Sequence, residues 1–230
     1  MKALPKILLA TTFSCLIFQM KAQSFKKGDI LFNVNYGQPN AAAFYQKTLY
    51  QKRLSVYYNG DYTQNYSNTG VLSLKCLYAR SSKVEVGLGI GLWKYNTSEV
   101  YIYREHVMAN YGSMHTASNK EEATFQALTL RLNRHFGNYK KIDPYVGFGL
   151  GVTRISYKEQ HYSLDSGSPV LLADQIYPSD FLPTFALTFG LRYYPLYWFG
   201  LNFEAGYDAG ALLSGGLIFK YASKNKGETK

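Results

Sequence analysis

The stretch VEVGLGIGLWKY, Val84 to Tyr95, decides the reading of this chain. Val84, Val86, Leu88, Ile90 and Leu92 take every second position, and Glu85, Gly87, Gly89, Gly91 and Trp93 fill the places between them. A period of two belongs to a β-strand, whose successive side chains point to opposite faces. One face is large and apolar while the other is nearly bare, and a strand tolerates so much glycine where something must approach it closely. Gly87 to Gly91, like Gly147 to Gly151, reads G-x-G-x-G, but no helix pattern follows to present an N-terminus to phosphate, so neither is a nucleotide loop.

Seven more segments obey the same rule: Asp29 to Tyr36, Gly70 to Arg80, Ala123 to His135, Pro144 to Tyr157, Thr184 to Tyr194, Phe199 to Asp208 and Ala211 to Tyr221. Val146, Phe148, Leu150 and Val152 alternate with Gly147, Gly149, Gly151 and Thr153, and Leu201, Phe203, Ala205 and Tyr207 alternate with Asn202, Glu204, Gly206 and Asp208. A soluble sandwich would alternate too, but its polar face would meet water and would rarely be so rich in glycine. The expected fold is therefore all-β, a closed eight-stranded antiparallel transmembrane β-barrel with long extracellular loops. Its narrow interior would be filled by its own side chains, and lipid would wet its outside. Closure would also satisfy every backbone polar group within hydrocarbon.

Connection lengths point the same way. The joins 81–83, 136–143 and 195–198 are short, whereas 37–69, 96–122 and 158–183 are long, and only the tight join at 208–210 breaks the alternation. Short periplasmic turns and long outer loops would put both termini in the periplasm. Tyr78, Tyr145, Tyr193, Tyr197, Trp198 and Tyr221 near the turn ends, and Tyr36, Tyr95, Tyr157 and Tyr207 near the loop ends, fit aromatic girdles.

Composition bounds the rest. The chain has 230 residues, of which 47% are hydrophobic and 17% charged, enough for one ordered domain and too apolar for a disordered chain. Lys2 and Lys6, the apolar run Ile7 to Phe18 and Ala22 form an export signal over 1–22, too short to span a membrane. Cys15 in that run is not a lipid-acylation site, because Leu16 to Phe18 continue the apolar stretch. The barrel domain would then occupy 23–221 and a polar tail 222–230. Losing Lys2, Lys6 and Lys21 lowers the formal charge from +10 to +7, and the excess is scattered over ends and loops rather than gathered in a stripe, so nucleic-acid binding is not expected. Cys15 and Cys76 supply neither a disulfide framework nor a zinc site.

The pieces KKGDILFNVNYG (Lys26 to Gly37), PYVGFGLGV (Pro144 to Val152) and GLNFEAGYDAGALLSGGLIFKY (Gly200 to Tyr221) resemble the small outer-membrane β-barrel proteins of Bacteroidota, and more widely the OmpA/OmpX-type eight-stranded group. The resemblance covers almost all of the mature chain and rests on strand patterns. It implies a fold and a location in the bacterial outer membrane rather than an activity. Such barrels commonly end on an aromatic residue, whereas here Phe219 and Tyr221 are followed by the tail.

Candidate chemistry lies on the bare face. Lys75, Glu85, Arg131, Arg192, Glu204, Asp208 and Lys220 all fall inward with mixed signs, which predicts a paired network filling the interior, since isolated buried charges are costly. Arg131 and Arg192 are expected to meet Glu85 and Glu204, and Lys75 to reach Glu85 by a diagonal or longer route. The same charges could instead line a narrow channel for small solutes. His161 and Ser163 resemble the His/Ser pair of lipid A-modifying acyl hydrolases, but the match spans three residues and no carboxylate partner is fixed by spacing. The other histidines, His106, His115 and His135, show no metal-ligand spacing, and no cofactor is expected. Leu54 to Tyr58 and Asp61 to Tyr66 around Asn59-Gly60 predict a hairpin, and Glu99 to Arg104 a strand running past the membrane. Tyrosine-rich β-structure there suits a recognition surface. The favoured reading is a non-enzymatic barrel with an envelope-structural or surface-recognition role. Its partners would be outer-membrane lipid, lipopolysaccharide and an extracellular ligand at 37–69, 96–122 or 158–183.

Overall fold

The computed structural model describes residues 26–40, 62–107, 110–136, 141–165 and 168–221. The expected signal 1–22, the tail 222–230 and the first arm of the hairpin around Asn59-Gly60 lie outside these residues. Ten strands are present: β1 Ile30–Asn40, β2 Tyr62–Asn68, β3 Val71–Ala79, β4 Val84–Val107, β5 Asn110–His135, β6 Ile142–Ser163, β7 Val170–Ile176, β8 Asp180–Tyr193, β9 Phe199–Asp208 and β10 Ala211–Tyr221. The expectation of eight is corrected to ten.

Antiparallel pairings run from β1 to β3, β3 to β4, β4 to β5, β5 to β6, β6 to β8, β8 to β9, β9 to β10 and β10 back to β1. Each of these eight strands thus has two partners, and together they form a ring of ladders. The two added strands attach outside it, β2 to the upper part of β4 and β7 to the upper part of β6. A transmembrane strand needs about 9–11 residues. With 24, 26 and 22 residues, β4, β5 and β6 run far beyond that length. Their outer halves, flanked by β2 and β7, make a five-stranded sheet that continues past the ring. The stretches 96–122 and 158–183 are therefore largely strand rather than loop, and within 37–69 the described residues 37–40 and 62–68 are strand as well. The join between β9 and β10 is tight because Ala209 and Gly210 both have positive φ, 49° and 101°, as a two-residue hairpin turn requires.

Burial follows the alternation. Along β3 every second residue is buried from Val71 to Ala79, while Leu72, Leu74, Cys76 and Tyr78 face out. One large outward residue per strand shows the pattern: Phe32, Leu88, Leu130, Leu150, Phe189 and Phe203 are all exposed. Leu130 reaches 69% exposure while Arg192 and Glu85 sit at 0%, the reverse of a protein that packs against water. Tyr36, Tyr78, Tyr193, Tyr197, Trp198 and Tyr221 are exposed at the two ends of this apolar belt. Tyr95 and Tyr145 are buried and Tyr157 is half-buried, so these three are corrected from girdle to interior. They share the inward parity of Trp93, Gly147 and Thr153.

Candidate functional site

The filled interior of the ring is the first candidate. All seven inward charges are buried, and most are brought together. Near the turn end, Arg192 on β8 donates to Glu85 on β4 through Nη1 to Oε1 at 2.7 Å and Nη2 to Oε2 at 2.9 Å. Asn133 Nδ2 donates to Glu85 Oε2 at 3.2 Å, and His135 bridges the cluster with Nε2 3.2 Å from Glu85 Oε2 and Nδ1 2.7 Å from Asp143 Oδ1. The Arg192 guanidinium lies 4.3 Å from the centre of the Tyr145 ring. Gly190 is what admits that ring, since a Cβ at this position would overlap Tyr145.

The Tyr145 hydroxyl donates to Glu204 Oε1 at 2.6 Å and links this cluster to a second one. Lys75 Nζ lies 2.5 Å from Glu204 Oε2 and 2.6 Å from Asp208 Oδ2, and Arg131 Nη1 donates to Asp208 Oδ1 at 2.8 Å. Arg131 is thus matched by Asp208 rather than by Glu204 or Glu85, and Lys75 reaches across to β9 rather than to Glu85. Lys220 stands apart, 4.1 Å over the Tyr197 ring and 5.1 Å over Tyr194 at the turn end. Reading by sequence missed His135, Asp143 and Tyr145. Parity identifies Tyr145, which falls two residues before inward Gly147, whereas Asp143 sits in the stretch 136–143 that reads as a turn.

Toward the loop end the filling changes to rings. Trp93 and Phe125 stack with centroids 3.6 Å apart, Tyr95 lies 5.9 Å from Phe125, and Val71, Ala127, Ala209 and Ala211 complete the cluster. Tyr66 of β2 stacks on Tyr95 at 6.2 Å. Charges are thus paired below and rings packed above, while the buried Asn33 amide and Thr188 hydroxyl have no hydrogen-bond partner among the described residues.

The five-stranded sheet is the second candidate. The face that continues the interior carries Glu99, Glu121 and Glu159 on adjacent strands, bonded by Gln64 to Glu99 at 3.1 Å and by Asn119 to Glu159 at 3.0 Å. Burial, helped by the carboxylates of Glu121 and Glu159, pushes the Tyr157 hydroxyl well above its ordinary range. The opposite face is polar, with Lys94 and Glu122 at 3.1 Å and Lys158 and Asp174 at 3.2 Å. At the sheet's far end the Thr116 amide donates to Asp165 Oδ1 and His115 Nδ1 meets Asp165 Oδ2, both at 2.7 Å, which holds the Asp165 carboxyl below its usual range. His161 and Ser163 share a face of β6, but His161 pairs with Glu159 at 3.3 Å and Ser163 donates to Asp165 at 3.4 Å. The base-to-nucleophile bond that acyl transfer needs is not among these contacts. Among the described residues no group of three or more His, Cys, Asp or Glu is arranged to hold a metal ion.

No family model matches the chain, and no curated protein matches it. Among solved structures it is similar to the N-terminal β-barrel domain of Pseudomonas aeruginosa OprF, with 13% identity, a TM-score of 0.38, and coverage of 86% of this chain and 100% of that one. It is similar to the outer membrane protein OprG of the same organism, at 10% identity, a TM-score of 0.37 and coverage of 89% and 100%. Ail, the attachment invasion locus protein of Yersinia pestis, shows 10% identity, a TM-score of 0.36 and coverage of 85% and 99% in its complex with the heparin analogue sucrose octasulfate.

Proposed function

We propose that this chain is an integral protein of the bacterial outer membrane. In this reading, β1, β3, β4, β5, β6, β8, β9 and β10 close into a barrel around a self-filled interior, and the β2–β4–β5–β6–β7 sheet stands outside the cell as a recognition surface. The observation that carries this is the inverted burial of the ring: paired charges within, and a continuous belt of large apolar side chains without. A soluble monomer seldom exposes an apolar patch beyond a few hundred Å². The belt would be covered by lipid and lipopolysaccharide, residues 1–22 would direct export and be removed, and both termini would face the periplasm. The role is envelope-structural or recognitive and not enzymatic, because the inward charges of Lys75, Glu85, Arg131, Arg192, Glu204 and Asp208 are paired with one another. A channel is disfavoured on the same ground.

Heat-modifiable migration of the outer-membrane fraction is the direct test: the unheated barrel is expected to run apart from its denatured form. Recovery as a soluble periplasmic protein without detergent would overturn the reading. For the recognition role, removing 170–176 is expected to leave the barrel heat-modifiable while abolishing whatever surface binding the whole cells show.

A further inference from the structure

The two ends of the ring differ in exposed charge. Beyond the loop end, outward Lys94 and Lys158 are matched by Glu122 and Asp174 at 3.1 and 3.2 Å. At the turn end Lys26, Lys27, Arg80, Lys83, Arg134 and Lys141 are all exposed, and none of them forms an ion pair among the described residues. The acids described at this end, Asp29, Glu85 and Asp143, are buried and face inward.

Register gathers three of these cations. Arg80 closes the turn between β3 and β4, its amide donating to the Val84 carbonyl at 3.0 Å, and Val84 pairs with Arg134 on β5. Arg80 and Arg134 thus flank Val84 in one row of the ladder, and Lys83 adjoins that row in the turn. Each arginine is the next outward residue after the apolar belt, following Tyr78 on β3 and Leu132 on β5. Two inter-strand steps of about 4.8 Å set their Cα atoms ~10 Å apart. The row climbs from β3 toward β6, where Val146 has Pro144 and Ile142 beneath it. Strands tilted by roughly 40° therefore place Arg134 about 6 Å nearer the hydrocarbon than Arg80, a step that a long side chain absorbs by snorkelling to the interface.

We propose that Arg80, Lys83 and Arg134 seat the phosphate of one anionic phospholipid of the inner leaflet, an inference that rests on the membrane reading above. A guanidinium suits a phosphodiester because its N–H fork meets the oxygens in pairs. An acidic headgroup is selected over a zwitterionic one because no exposed carboxylate described at this end can take up an ethanolamine's ammonium. Depth agrees with this occupant. The phosphate sits at the foot of the belt on the turn side, and the acyl chains rise from it over Val86, Leu88 and Leu132. The lipid coat needs only apolar surface and covers the belt all round, whereas this seat exists at one place on the rim.

The test is native mass spectrometry of the full chain in mild detergent, titrated separately with phosphatidylglycerol, phosphatidylethanolamine and glycerol 3-phosphate. Wild type is expected to retain one phosphatidylglycerol more tightly than phosphatidylethanolamine, and no glycerol 3-phosphate, which has no chains to lay on the belt. Arg80→Gln and Arg134→Gln are each expected to weaken phosphatidylglycerol retention about fivefold, and together roughly twenty-five-fold, with phosphatidylethanolamine unaffected. Arg154→Gln removes a cation at the opposite rim, where Nη2 bonds Ser179 Oγ at 3.1 Å, and is expected to change nothing. All variants are first checked for heat-modifiable migration. A chain that stays in solution without detergent sinks the membrane reading itself, whereas a heat-modifiable barrel that retains phosphatidylglycerol no better than phosphatidylethanolamine overturns this site alone. Equal weakening by Arg154→Gln, or glycerol 3-phosphate held as tightly as the lipid, overturns it as well.

Discussion

Near the turn end of the ring Arg192 and Glu85 meet through two hydrogen bonds of 2.7 and 2.9 Å, whereas toward the loop end Trp93 and Phe125 lie face to face at 3.6 Å. Both fill the same tube, yet the first contact is directional and the second is not. Burying ions is costly and is offset only by well-placed partners, so the charged region fixes which strands face one another across the lumen. Burying rings is favourable in many arrangements, so the aromatic region excludes water without demanding one geometry. A filled interior can thus be specified at one end and merely occupied at the other.

Breaking the charged region should have the largest effect. Arg192→Ala strips Glu85, at 0% exposure, of its guanidinium and leaves it only Asn133 and His135, and is expected to cost about 3–5 kcal/mol, read as a fall in the midpoint of heat-modifiable unfolding. On the outside, Leu88→Arg near the middle of the belt is expected to cost roughly 2–4 kcal/mol, and normal assembly of that variant would mean the two faces are reversed. The comparison sharpens with conservative swaps. Arg192→Lys keeps the charge but loses the two-bond geometry and should cost about 1.5–3 kcal/mol. Phe125→Leu, which keeps an apolar filling, should cost no more than about 1.5 kcal/mol. If Phe125→Leu proves the more damaging, the contrast between the two regions fails. Truncating both rings, Trp93→Ala with Phe125→Ala, is expected to leave a planar bilayer without conductance, because the paired charges still fill the tube beneath.

The smallest effect lies at the far end of the outer sheet. Asp165 has its folded pKa depressed by the Thr116 amide and His115, so its bonds contribute while pH stays above the ordinary carboxylate range and are lost as pH falls through the lowered value. Acidification and Asp165→Asn should both speed exchange of the Thr116 amide and of the Leu164 amide, which donates to the Thr116 carbonyl at 2.9 Å, and leave the ring unchanged, as hydrogen-exchange mass spectrometry would register.

The facing of the strands was legible because an apolar outside against a glycine-rich inside gives period two its contrast, as in Leu88 and Gly89. That contrast fades beyond the belt, where outward Asn96 and Ser98 alternate with inward Thr97 and Glu99 and both faces are polar. The outer halves of β4, β5 and β6 therefore look mostly like loop in the sequence. β7, VLLADQI, is exposed along most of its length and does not alternate at all. The membership of the charge network followed from parity, but its pairing did not. Lys75 and Glu204 stand 129 residues apart on strands that are not neighbours, and nothing local in either strand announces the other.

The ladder between β1 and β10 joins Ile30 to Tyr221 and Asn40 to Ala211, the first described strand to the last. Every other rung of the ring links strands that lie near each other along the chain and can zip up in order of synthesis. This one cannot form until the whole domain is available, and contacts of such sequence separation are slow to make. Until then two complete edges of unpaired amides and carbonyls are exposed, able to template intermolecular pairing in water and intolerable in hydrocarbon. The seam is therefore the last ladder of the ring to form, and until it forms the two edges of the sheet lie open.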